Sequence, residues 1–168
     1  EQPTSVSFSG IFRGLLVEMR PKEWTKNLLV FSGLVFSRSL FEHNHLLFSL
    51  GGFISFCLIS SGIYFFNDLS DINEDKLHPI KKNRPIAAGI LNVNLARLVT
   101  FLLFAGGAAL ALSLSYSFSF ALAIYLIFSL GYSLGLKNIV ILDVLIISSG
   151  FVIRAIAGAL VLEVEASA

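Results

Sequence analysis

The chain has 168 residues, of which 55% are hydrophobic and only 14% charged, with a mean hydropathy of +0.82. Soluble domains carry about 25% charged residues, so this composition excludes a soluble enzyme, a nucleic-acid-binding module and a disordered chain. The net charge is +1 and the single cysteine, Cys57, excludes an internal disulfide framework; the chain reads as an all-α integral membrane protein, a polytopic transmembrane helical bundle.

Residues 1–23 read as a tail followed by an amphipathic helix lying in the membrane interface. Phe8, Ile11, Phe12, Leu15, Leu16 and Met19 recur at helical spacing, with Ser7, Ser9, Arg13 and Glu18 elsewhere on the helix. Arg20-Pro21 predicts its end. Residues 24–168 form the transmembrane domain. Five apolar stretches, 24–41, 46–66, 95–114, 118–134 and 139–164, each approach or exceed the roughly 20 residues that cross a bilayer.

Ten of the twelve Lys and Arg residues fall on one side of this alternating topology. They are Arg13, Arg20, Lys22 and Lys26 before the first span, Lys76, Lys81, Lys82, Arg84 and Arg97 between the second and third, and Lys137 between the fourth and fifth. The positive-inside rule makes that side cytoplasmic, and with it the N-terminus. In a bacterial cell this is the plasma (inner) membrane.

The connection 67–94 is far longer than the others, and long loops in compact domains are usually functional or disordered. It opens with Asn67-Asp68-Leu69-Ser70-Asp71-Ile72-Asn73-Glu74-Asp75. Asp68, Asp71 and Asp75 are three and four residues apart, and Asn67 is four before Asp71. A helix continuing out of the second span would gather these oxygens into one stripe. Neighbouring carboxylates repel, and a hard divalent ion, most simply Mg²⁺, neutralises them together with substrate phosphates. A calcium loop starting at Asp71 fails, because Lys76 and Lys82 stand where Gly and Glu are required. Lys76, Lys81, Lys82 and Arg84 follow directly, and acid followed by base suits a metal–diphosphate complex. The competing reading is a solvated charged loop obeying the positive-inside rule.

Two further places attract notice. Trp24 reads as an interfacial anchor, while Lys26 beside it either snorkels or points into a polar cavity. In the fifth stretch Arg154 is intramembrane, which makes it either a functional residue or half of a structural pair; Asp143 lies near the cytoplasmic end.

The acidic motif at the end of a second span resembles the first aspartate-rich motif of the UbiA-type prenyltransferase superfamily. Three blocks are similar to the branch that moves phosphoribose onto decaprenyl phosphate: Arg20-Pro-Lys-Glu-Trp-Thr-Lys-Asn27; the run from Asp75 through His78, Lys81, Lys82 and Arg84 to Gly89; and Tyr132-Ser-x-Gly-Leu-Lys137 with Asp143 and Ser149-Gly-Phe-Val-Ile-Arg154. The resemblance implies nine transmembrane helices around a central cavity, of which five are expected here, and a second acidic motif that this chain lacks. The chain therefore reads as the N-terminal part of a longer protein.

The implied activity is Mg²⁺-dependent transfer of 5-phosphoribose from phosphoribosyl pyrophosphate to a polyprenyl phosphate, in cell-wall biosynthesis. The expected catalytic residues are Asp68, Asp71 and Asp75, which with Asn67 are also the expected metal ligands. Lys26, Asn67, Lys81, Lys82, Arg84, Lys137, Asp143 and Arg154 are the expected substrate-binding residues. The alternatives are prenyl transfer to an aromatic or other acceptor by the same metal chemistry, and a non-enzymatic transporter or scaffold.

Overall fold

A computed structural model describes residues 7–37, 43–136 and 140–162, without the side chains of residues 140 and 143. Among the described residues every regular element is helical. Helix α1 (Phe8–Glu18) is followed by a 3₁₀ helix (Pro21–Phe31) and the short α2 (Ser32–Phe36). Helix α3 (His43–Ser70) leads into α4 (Ile72–Leu77), a 3₁₀ turn (Lys81–Asn83), α5 (Val93–Leu114), α6 (Tyr116–Ser133) and α7 (Val140–Leu160).

Helices α3, α5 and α6 are long and apolar enough to cross a membrane, and α7 carries a shorter apolar stretch at Val144–Leu160. At 1.5 Å per residue α3 measures about 42 Å, more than the roughly 30 Å of hydrocarbon. It is thus long enough to cross the hydrocarbon and still carry the turn of Asn67 and Asp68 beyond it. Asn92 caps α5 by accepting from the Asn94 N–H at 2.9 Å. Phe101, Leu102, Leu112, Phe120 and Ile127 are exposed apolar side chains on the outer faces of α5 and α6.

The first predicted span departs from expectation. Residues 21–36 are not one α-helix but a 3₁₀ helix continued by one turn and a half of α-helix; residues 38–42 lie outside the described residues. In a 3₁₀ helix, residues three apart eclipse. Trp24, Asn27, Val30 and Gly33 therefore fall in one row, and the last three of them are buried. Gly33 crosses Gly158 of α7 so closely that a Cβ on either would collide with the other segment's backbone, Gly158 meeting the Val30 carbonyl. Small residues at a crossing permit this approach.

Two apolar clusters result. One joins Val30, Leu34, Phe56, Ile59, Phe118, Leu122, Ala157 and Val161 inside the bundle. The other sits at the charged end, where Phe65, Ile86, Leu91, Ala96 and Leu103 are covered by Ile11 and Leu15 of α1 and by Met19 just after it. The apolar stripe of α1 is thus divided, since Phe8, Phe12 and Leu16 remain exposed. The long connection is ordered: Ile86 and Leu91 pin it beneath α1.

Candidate functional site

The acidic segment divides between two helices. Asp68 lies in the last turns of α3, Asp71 precedes α4, and Asp75 lies within α4. Asp68 and Asp75 are each 1% exposed, which removes both carboxylates from water. Arg84, from the 3₁₀ turn, compensates both. Its Nη1 donates to Asp75 Oδ2 at 2.7 Å and to Asp68 Oδ1 at 3.0 Å. Arg20 donates through Nη2 to both oxygens of Asp68 at 2.8 Å, and Lys81 Nζ stands 3.8 Å from Asp75. The turn carrying Lys81 is shaped by His78, whose Nδ1 accepts from the backbone N–H groups of Ile80 and Lys81 at 3.2 Å.

Among the described residues no group of three or more His, Cys, Asp or Glu is arranged to hold a metal. Mg²⁺ requires less than that, since it binds through one or two carboxylates and completes its shell with water and phosphate oxygens. Asp68 and Asp75 supply two carboxylates of that kind, and both reach the single Nη1 atom of Arg84 between α3 and α4.

Two members of this cluster were not among the expected site residues. Glu18 follows the polar side of the α1 pattern, yet it is 1% exposed and neither carboxylate oxygen has a hydrogen-bond partner. Burial, and then the neighbouring Asp68 carboxylate, push its pKa up to about 9. Arg20 adopts φ 50°, the left-handed region, and is the one non-glycine among the described residues to do so. Its guanidinium also stacks over Tyr64 at 4.7 Å. The Arg-Pro pair ending α1 was the available sequence signal for this turn.

Beside the cluster lies a cavity of about 310 Å³. Arg20, Lys26, Asn67 and Arg154 line it, together with tyrosines from α3 and α6; among the described residues no Asp or Glu does. Lys26 therefore faces a polar cavity, where it also pairs with Glu23. Arg154 reaches it from α7, donating to Asn27 Oδ1, Tyr125 Oη and the Gly150 carbonyl, each at 2.8 Å. Asn27 in turn donates to Ser60 Oγ at 3.3 Å, and Trp24 to Ser61 Oγ at 3.0 Å, which fastens the 3₁₀ helix to α3. The structure thus brings together Lys26, Asn67 and Arg154 at the cavity, and Asp68, Asp75, Lys81 and Arg84 in a charged cluster joined to it through Arg20. Lys82 is exposed on the outer turn. Lys137 and the side chain of Asp143 lie outside the described residues.

Residues 28–167 match the model of the UbiA prenyltransferase family. The chain belongs to that family. This UbiA-family chain is 35% identical over 170 residues to a decaprenyl-phosphate phosphoribosyltransferase of Mycolicibacterium smegmatis, covering 99% of this chain and 54% of the relative. It is 34% identical to one of Corynebacterium glutamicum, covering 92% and 48%. A digeranylgeranylglyceryl phosphate synthase of Sulfolobus acidocaldarius is 34% identical over 82 residues, 49% of this chain and 29% of the relative. The UbiA-family chain spans about half the length of the phosphoribosyltransferases it matches.

Proposed function

We propose that this chain carries the donor-binding elements of a membrane transferase that moves 5-phosphoribose from phosphoribosyl pyrophosphate to a polyprenyl phosphate, with release of pyrophosphate. The observation that carries the reading is the convergence of two buried carboxylates, Asp68 and Asp75, on one cationic atom beside a cavity lined by Arg20, Lys26 and Arg154. The names of the relatives from M. smegmatis and C. glutamicum agree with it.

In this reading Asp68, Asp71 and Asp75, with Asn67, would hold Mg²⁺ at the cytoplasmic end of α3. When bound, Mg²⁺ neutralises the diphosphate and stabilises its charge as a leaving group. Arg84, Lys81 and Lys82 take the remaining diphosphate oxygens, with Arg84 turning from carboxylate to phosphate. The C1–O bond of the sugar breaks and the diphosphate leaves with the electron pair. An oxygen of the lipid phosphate then bonds to C1. That phosphate is already anionic near neutral pH, so the step needs no strong base. The polyprenyl tail stays in the bilayer, which places the chemistry at the membrane's cytoplasmic face. Lys137 and Asp143 are kept as proposed substrate-binding residues.

The test supplies membranes containing the intact protein with two labelled donors in parallel. Ribose label entering the lipid fraction is the expected result. The partial match to the digeranylgeranylglyceryl phosphate synthase favours a second reading, prenyl transfer. Prenyl label entering an acceptor, with none from ribose, would establish it and overturn the first.

A further inference from the structure

Arg154 is more than nine-tenths buried, and among the described residues no carboxylate pairs with it. Its three hydrogen bonds all go to neutral acceptors: an amide oxygen, a phenol and a backbone carbonyl. The other two cations of the cavity differ in this respect, because Arg20 is matched by Asp68 and Lys26 by Glu23. An uncompensated guanidinium inside an apolar bundle is costly. Stacking on Tyr125, 4.6 Å from the ring centroid, offsets only part of that cost. A guanidinium has five N–H donors, and these bonds use one each from Nε, Nη1 and Nη2, leaving two. The side chain is held rigidly at the cavity wall, and Gly150 leaves the space beside it: a Cβ there would stand 3.2 Å from Arg154 Nη1.

We infer that Arg154, with Lys26, binds a phosphate monoester inside the cavity, separate from the diphosphate at the acidic rim. A planar fork with two spare donors suits a phosphate dianion, and the ligand supplies the charge that the protein withholds. Two sources share this chemistry: the 5-phosphate of the sugar donor and the phosphate of the lipid acceptor. The inference rests on the proposed transferase reading and names which group fills the cavity.

The test measures equilibrium binding of three probes to the intact protein in lipid nanodiscs with Mg²⁺ present: phosphoribosyl pyrophosphate, inorganic pyrophosphate and farnesyl phosphate. Arg154→Gln is expected to weaken one monoester-bearing probe about tenfold and leave pyrophosphate unchanged. Loss confined to phosphoribosyl pyrophosphate assigns the sugar 5-phosphate; loss confined to farnesyl phosphate assigns the lipid. Arg154→Lys keeps the charge without the fork and should lose less. Gly150→Ala keeps Arg154 and crowds its Nη1, so it should weaken the same probe. These two variants decide the matter if Arg154→Gln does not fold. Unchanged binding of all three probes, or equal loss of pyrophosphate, overturns the inference. Mg²⁺-dependent pyrophosphate binding, and its loss in Asp75→Asn, tests the underlying transferase reading separately.

Discussion

Arg84 ties the acidic motif together, because its Nη1 alone contacts both Asp68 and Asp75. Removing it leaves two carboxylates out of water with fewer partners. Arg84 keeps a quarter of its own side chain exposed, which reduces the cost below that of a fully enclosed pair. Arg84→Met is expected to lower stability by about 2 kcal/mol, read from denaturant unfolding in detergent; an unchanged midpoint would contradict the role. Glu18 gives a pH dependence. Its proton is retained up to about 9 in the folded protein, against 4.5 for an ordinary glutamate. The folded state therefore binds more protons than the unfolded one between those values. Its contribution is full below the lower value and falls as pH rises toward the upper one. Glu18→Gln should flatten this fall, seen as a smaller difference in melting temperature between about pH 5 and about pH 8.5. Parallel curves for the two proteins would contradict it. The aspartates were legible because their spacing carries the message. Glu18 was not, since its burial depends on α1 folding over the end of α3, a contact that helical periodicity in α1 does not encode.

The long helices were legible from apolar length alone, and α3, α5 and α6 follow the stretches expected of them. The segment 21–36 was not. Trp24, Asn27, Val30 and Gly33 are spaced by threes, a pattern that also fits one side of an α-helix over a few turns. What distinguishes the observed form is contact with other elements: Trp24 on Ser61, Asn27 on Ser60 and Arg154, Gly33 on Gly158. The crossing of this segment with α7 admits no side chain at either glycine. Gly158→Ala should drive the Val30 carbonyl away and cost about 1–3 kcal/mol, measured by unfolding in a graded detergent mixture. It should also disturb Arg154, one turn away on the same helix. Wild-type stability in this variant would show that the two segments do not pack as described.

Across the molecule, charge and apolar surface are segregated. The helices expose apolar side chains along their outer faces, while the acidic cluster gathers where α3, α4 and the 67–94 connection meet and the cationic cavity lies beside it among α3, α6 and α7. The composition and the positive-inside asymmetry foretold such an end, but not the division of labour within it. Sequence spacing joined the aspartates to the lysines and Arg84. It gave no reason to set Arg154, far along the chain, beside Asn27 and Tyr125, because that grouping arises only when α6, α7 and the 3₁₀ helix pack together. The central claim is that the carboxylates at the rim grip a divalent cation and, through it, a departing diphosphate. The most direct measurement is release of pyrophosphate from phosphoribosyl pyrophosphate by the intact protein in proteoliposomes containing polyprenyl phosphate. Release is expected to require Mg²⁺, to stop on chelation, and to fall at least about a hundredfold in Asp71→Asn and Asp75→Asn. Turnover that persists with those carboxylates neutralised, or with Mg²⁺ removed, would contradict the account.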